Sequence, residues 1–317
     1  MADEKSIIVK TKEGVVEAIQ GTGDVTNALL GFVSGALVTA LKETKLVGNE
    51  AGSFIKDTIV GSVKGIADVG QEVSSAAKGV IVGVVTGTKD IAESTLDTVG
   101  KSVSTLIHTT SEVGGDLAQT AKGAMEGTIV AAKDLGVSVT EAITQASTSI
   151  IYGGKQVGSE LASTAKETII GAAQAAKEVG EKTIETMSHT AGAVVKATAD
   201  LGGDVGSTVK GSMVGTLQGA KDVGETILDA VSGTASSMIK STAQVGGDLA
   251  ITAKNAVAGA IAGAKEIGVD TTEAASTAAS SALKAAGDVS ANAGKQVRDA
   301  VTGTIDGVKV VIKEPFK

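Results

Sequence analysis

The sequence predicts an all-α protein: one very long amphipathic helix on an eleven-residue repeat, with slight right-handed drift, packing side by side in parallel as a sheet, barrel or filament. Three observations lead there. Lys45, Lys89, Lys133, Lys177, Lys221, Lys265 and Lys309 recur on a 44-residue spacing. A second series, Lys78, Lys122, Lys166, Lys210, Lys254 and Arg298, stands eleven residues before members of the first, so each 44-residue unit divides into four of eleven. Eleven residues in three turns is close to the natural helical period, so one face stays on one side over many turns. Finally, when residues are sorted into eleven columns counted from Met1, 60 of the 64 charged residues fall in columns one, two, five, six and nine. Those columns form one contiguous arc of the helical wheel, and the other half of the surface is uncharged from residue 44 onward.

The organisation follows from that phase. Residues 1–33 form an N-terminal segment of degenerate repeats, 34–309 one continuous repeat domain, and 310–317 a C-terminal tail. A strand would need alternation with period two, which is missing. The alternative is a set of helical hairpins broken at Gly114-Gly115-Asp116, Gly202-Gly203-Asp204 and Gly246-Gly247-Asp248, where Gly would cap one helix and Asp start the next. A loop normally breaks register, and the eleven-residue register runs straight through, which favours the unbroken helix.

The two shoulders of the apolar face differ in charge. Column one is basic in 16 of 29 positions and never acidic, whereas column six holds nine acids and one lysine. Parallel neighbours would set the positive edge of one helix (Lys89, Lys133, Lys177, Lys221, Lys265) against the negative edge of the next (Glu72, Asp116, Glu160, Asp204, Asp248). Exposed ion pairs are each worth only about 0.2–1 kcal/mol, so they would set orientation more than affinity. The expected partner is a second copy of the chain in a parallel homo-oligomer. In column four, Gly114, Gly136, Gly158, Gly180, Gly202, Gly224 and Gly246 keep a 22-residue spacing, expected to let neighbours pack closely. Gly79/Gly83/Gly87, Gly123/Gly127, Gly211/Gly215/Gly219 and Gly259/Gly263 form small-xxx-small ridges on the other shoulder. The apolar arc, including Val113, Leu117, Ile129, Leu135, Val223, Ile227, Leu249 and Ile261, is expected to face lipid or an enclosed lumen.

Composition narrows the function. The 317 residues include 42 glycines, one proline, one tyrosine, three phenylalanines and no cysteine or tryptophan, too little bulk for an ordinary enzyme core. No catalytic residue, metal ligand, cofactor site or small-molecule substrate is implied. His108 and His189 stand far apart along the chain, both in polar columns, and read as solvated surface residues. Gly100-Lys101-Ser102 looks like the end of a phosphate loop, but Thr95 stands where the first glycine belongs. A net charge of −8 with almost no aromatics excludes nucleic acid. The longest uncharged run, Val25 to Leu41, is short for a membrane span. The start lacks the basic and apolar regions of a secretory signal, so the expected location is cytoplasmic, peripheral to a membrane or lipid body.

Lys10-Thr11-Lys12-Glu13-Gly14-Val15 resembles the synuclein repeat, and Thr208 to Lys221 is similar to perilipin eleven-residue repeats. Both resemblances imply lipid-surface binding by induced amphipathic helices. Ala172 to Glu178 resembles repeats of late-embryogenesis-abundant proteins, which implies desiccation protection. The expected function is therefore a non-enzymatic, self-assembling structural protein that presents an apolar face to lipid or a lumen. A peripheral coat without ordered polymer and a stress protectant are the alternatives.

Overall fold

The computed structural model describes residues 2–22, 25–44, 49–71, 73–88 and 95–312. The all-α class holds. Helices α1 (Ala2–Thr22), α2 (Val25–Thr44), α3 (Asn49–Asp68), α4 (Val73–Thr88), α5 (Thr95–Glu112), α6 (Leu117–Asp134) and α7 (Val139–Gln156) lie in a first compact unit, residues 1–159. The second unit, residues 160–317, holds α8 (Leu161–Val179), α9 (Thr183–Asp200), α10 (Val205–Val223), α11 (Ile227–Gln244), α12 (Leu249–Ile267), α13 (Thr271–Val289) and α14 (Ala291–Val301). It also carries a small hairpin, β1 (Gly303–Ile305) and β2 (Val308–Val310).

The single continuous helix is overturned, and the reason lies in backbone conformation. Gly70, Gly114, Gly136, Gly158, Gly180, Gly202, Gly224, Gly246 and Gly268 all have positive φ, between 62° and 78°. That left-handed conformation costs glycine little and other residues roughly 1–2 kcal/mol. Each of these glycines ends a helix. At Gly202, its own amide donates to the Ala199 carbonyl at 2.9 Å and the Gly203 amide to the Thr198 carbonyl at 2.8 Å, which closes a Schellman turn. The next helix starts after an N-cap two residues beyond the glycine: Asp116, Ser138, Glu160, Lys182, Asp204, Thr226, Asp248 and Asp270 open α6 to α13. The Gly-Gly-Asp breaks are therefore real, and the same break occurs where only the first glycine is present. From α6 to α12 a helix and its turn together fill two eleven-residue units, so the register survives every break.

Within each unit the helices form two layers. Helices two apart in sequence pack side by side, α8–α10–α12 in one layer and α9–α11–α13 in the other, and α1–α3–α5–α7 and α2–α4–α6 repeat the arrangement in the first unit. Neighbours within a layer run parallel. A Cβ on Gly211, Gly215 or Gly219 of α10 would meet Ala162, Lys166 or Ile170 of α8, three pairs that rise together along both helices with a constant offset. The same offset places Gly259 of α12 against the Lys210 carbonyl (2.7 Å from a built Cβ) and Gly127 of α6 against that of Lys78 (2.8 Å). Backbone thus packs on backbone in the even-numbered layer, as the small-xxx-small ridges predict.

The core is built from small and branched side chains. Ile169, Met187, Val195, Val209, Met213, Leu217, Val231, Met238, Ile239, Val257 and Ile261 are buried in the second unit, with many alanines between them. In the first, Leu29, Val33, Ile59, Val63, Ile81, Leu106, Met125 and Ile150 play that part. Buried threonines are tolerated because their hydroxyls donate to the carbonyl four residues back, as Thr128 does to Ala124 and Thr190 to Thr186, both at 2.8 Å. Others also bridge helices: Thr216 donates to Thr234 at 3.2 Å.

Two strands appear where the sequence reading has none. Asp306 and Gly307 both have positive φ, and the two-residue turn pairs Ile305 with Val308. Ile305 and Val310 are buried against the last helices, and the Val311 amide donates to Ser276 Oγ at 3.1 Å. The hairpin covers the end of the helix array, which would otherwise expose an unpaired apolar surface.

Glycine substitutions separate conformational need from space. Gly211→Ala should lower the urea midpoint by the equivalent of about 1–3 kcal/mol, because its methyl meets the α8 backbone. Gly35→Ala in α2, with nothing within 4 Å, should be neutral or stabilising by up to about 1 kcal/mol. Equal midpoints for the two variants would contradict this packing.

Candidate functional site

The charged edges and the apolar face are the features to which the sequence assigns function, and the structure places each of them. Within the chain, the acids predicted to line an oligomer edge stand at helix starts. Asp116 accepts from the Gln119 amide at 3.0 Å, Asp204 from Ser207 at 3.0 Å, and Asp248 from Ala250 and Ile251 at 2.8 and 3.0 Å. Glu160 holds the same position without a side-chain cap. The three aspartates satisfy amides that no helical carbonyl reaches, and all four carboxylates sit at the positive end of a helix dipole.

The lysines of the opposite edge close helices. Lys177, in the last turn of α8, donates to the Val223 carbonyl at the end of α10, 2.8 Å away. Lys221, in the last turn of α10, does the same to the Ile267 carbonyl of α12 at 3.0 Å. A cation at a helix C-terminus pairs with free carbonyls and the negative end of the dipole. Lys133 and Lys265 occupy the corresponding last turns of α6 and α12. Lys89 and Glu72 lie outside the described residues. None of Asp116, Glu160, Asp204 or Asp248 is ion-paired to a lysine among the described residues; within the chain these acids start helices, while Lys177 and Lys221 bond the last carbonyls of parallel neighbours. Where lysines do pair across helices they take other acids: Lys166 of α8 reaches Glu266 of α12 at 3.3 Å, and Lys12 of α1 pairs with Asp68 of α3.

The predicted lipid- or lumen-facing residues are folded inward. Ile129, Val223, Leu249 and Ile261 are buried, and Val113, Leu117, Leu135 and Ile227 are half-buried. Val113, Leu135 and Val223 stand where helices end, and Leu117, Ile227 and Leu249 where they begin. The second helical layer covers the apolar face that the sequence reading offers to lipid. Gly114, Gly136, Gly158, Gly180, Gly202, Gly224 and Gly246, predicted as close-packing residues, have nothing within 4 Å of a built Cβ. Their role is the left-handed turn. The true close contacts belong to the ridges.

His108 Nε2 lies 2.6 Å from Gln156 Oε1, and His189 is half-buried, so neither is a fully solvated side chain. No group of three or more His, Cys, Asp or Glu residues arranged to hold a metal ion occurs among the described residues. No described helix is long and apolar enough to cross a membrane. No protein-family model and no curated protein sequence matches the chain.

Asp204 provides a pH test of the caps. Hydrogen bonds from the Ser207 hydroxyl (2.7 Å) and then its amide hold this carboxyl below the usual carboxylate range. A lowered folded value means that the stabilisation is fully present above the ordinary aspartate range near about pH 4 and is lost as pH falls through the lowered value. Asp204→Ala should therefore cost about 1 kcal/mol at neutral pH and much less under strong acid, measured by urea unfolding at both. Lys221→Met should cost about 0.3–1 kcal/mol, with the loss reduced by salt. A loss independent of pH for the first variant would remove the capping role of Asp204.

Proposed function

We propose that the chain is a non-enzymatic structural protein whose helices, packed on one another in the free state, open to lay their common apolar face on a lipid surface beside further copies. One observation carries the reading: the eleven-residue phase runs unbroken through every glycine junction, so rejoining the helices would align all their apolar faces in one stripe. Glycine tolerates left- and right-handed φ about equally, which makes each junction the easiest place to rejoin. The apolar area exchanged is modest per helix, since alanine and valine dominate, and many units add at about 25 cal/mol per Å². Association is peripheral, through helices lying in the interface. On the opened chain the column-one lysines and column-six acids, released from capping, become the edges along which parallel copies pair.

The test is flotation with phosphatidylcholine vesicles, with and without anionic lipid. The wild type should float with the vesicles while helical circular dichroism is retained. Replacing Gly180, Gly202, Gly224 and Gly246 together by Ala should raise lipid binding about tenfold or more, since Ala penalises the folded turn by roughly 1 kcal/mol per site and favours the rejoined helix by a similar amount. Ile227→Asp should weaken flotation. A wild type that stays unbound with both vesicle types would end the lipid reading.

A further inference from the structure

The last helix stops early, and the residues beyond it carry the pattern of a helix. From α6 to α13 every helix has 18 or 19 residues, whereas α14 has 11 and gives way to the β1–β2 hairpin. Ser290 stands 22 residues beyond Gly268, where the repeat calls for a left-handed glycine. Its backbone is extended instead (φ −166°), and its hydroxyl accepts from the Ala293 amide at 3.1 Å. The final turn thus departs from the glycine junctions that precede it.

Residues 300–309 nevertheless repeat residues 256–265 of α12. Ala300, Val301, Gly303, Ile305, Gly307 and Lys309 match Ala256, Val257, Gly259, Ile261, Gly263 and Lys265, six positions of ten. The tripeptide Gly303-Thr304-Ile305, which forms β1, occurs again as Gly127-Thr128-Ile129 inside α6. In α12, Gly259 and Gly263 pack against α10; Gly303 and Gly307 have positive φ (109° and 81°) and nothing within 4 Å of a built Cβ. The two copies differ at the four remaining positions, where Thr302, Thr304, Asp306 and Val308 stand in place of alanines. Threonine and valine favour a strand and Asp-Gly a two-residue turn, while alanine favours a helix. Four side chains therefore tip a helical pattern into a hairpin.

The apolar spacing still belongs to the helix. Val297, Val301, Ile305, Val308 and Ile312 follow one another at intervals of four, four, three and four residues, which on a helix is one continuous stripe. The hairpin uses that stripe incompletely: Ile305 is buried, Val308 and Ile312 are half-buried, and the neighbouring Val311 is 51% exposed. In the turn, Asp306 is the one non-glycine residue with positive φ among the described residues. A lone two-stranded hairpin is marginal in water, so this one depends on its seat against α12 and α13, where the Val311 amide meets Ser276. The end of an array has neighbours on one side only and is where opening costs least.

We propose that residues 300–312 are a latch on the helix array: a hairpin while the array is closed, and a helical continuation of α14 when the chain meets lipid. As a hairpin, the segment lies against α12 and α13 and covers them. As a helix, it sets Ile305, Val308 and Ile312 in line with Val297 and Val301 on the face presented to lipid, and its departure uncovers α12 and α13, which then follow. The trigger rests on the lipid reading above; the capacity of the segment to form a helix does not.

The experiment uses the full chain, which has no cysteine of its own. Thr304 and Lys309 are exposed and directly opposite each other across the hairpin, where Cα atoms about 4.5–5.5 Å apart suit a disulfide. In Thr304→Cys/Lys309→Cys, oxidation should weaken flotation with phosphatidylcholine vesicles, with or without anionic lipid, by about tenfold or more, and dithiothreitol should restore it. Wild-type circular dichroism of the oxidised protein in the absence of lipid shows that the array is kept. A second variant, Asp306→Ala/Gly307→Ala, removes both turn residues at positive φ and leaves the apolar stripe intact. Its Cα carbon shifts over residues 303–310 should be helical without lipid, and it should bind vesicles about threefold or more tightly than the wild type. The latch alone is overturned if the wild type floats while oxidised and reduced forms float alike, or if residues 303–310 of the second variant are helical neither free nor on vesicles. If the wild type, the reduced protein and the second variant all stay off the vesicles, the lipid reading falls and the latch with it.

Discussion

The fold from α5 to α13 depends on one backbone constraint, a glycine at positive φ in every second eleven-residue unit from Gly114 to Gly268. It stops one helix, turns the chain within two residues, and delivers an N-cap to the next. Because helix and turn together fill two eleven-residue units, the charged columns acquire fixed duties. Column six is an N-cap at one level and a small residue in mid-helix at the next: Asp116 and then Gly127, Asp204 and then Gly215, Asp248 and then Gly259. Column one supplies lysines to the last turns. Periodic charge that reads as an edge between molecules is therefore, inside one chain, a set of instructions for starting and stopping helices.

The 44-residue period has an equally physical origin. It is the sequence distance between helices of the same layer, so residues one such period apart share an environment. Mid-helix column six is glycine in α6, α8, α10 and α12 (Gly127, Gly171, Gly215, Gly259) and Ser or Ala in α7, α9, α11 and α13 (Ser149, Ala193, Ser237, Ser281). Glycine lets backbones of the even layer touch, whereas serine holds the odd layer apart by a side chain and allows pairs such as Ser232 with Ser281. Dispersion between closely approached backbones partly replaces the bulky core that the composition withholds. Buried threonines fill the remainder because each can satisfy its hydroxyl on its own helix.

The lipid reading draws on the looseness of the same design. Exchange with a lipid surface relies on small side chains, modest burial and junctions that can rotate. The repeat is not uniform along the chain. Gly79 of α4 stands against Thr26 of α2, a register one helical turn beyond the one that sets Gly211 of α10 against Ala162 of α8.

The all-α class, the eleven-residue phase, the 44-residue unit and the glycine ridges were legible in the sequence, because each is a spacing and spacings survive folding. The Asp starts at the Gly-Gly-Asp sites were legible too, as an alternative to the continuous helix. Whether Gly180 or Gly202 takes positive or negative φ was not, since glycine permits both and the charge register is the same either way. Only the tertiary structure decided it, by providing a second layer that covers Ile129, Val223 and Ile261 once the chain turns back. The sequence alone determined which face of each helix is apolar and where a helix can end; the structure decided that this face meets the chain itself, because burying it there needs no partner.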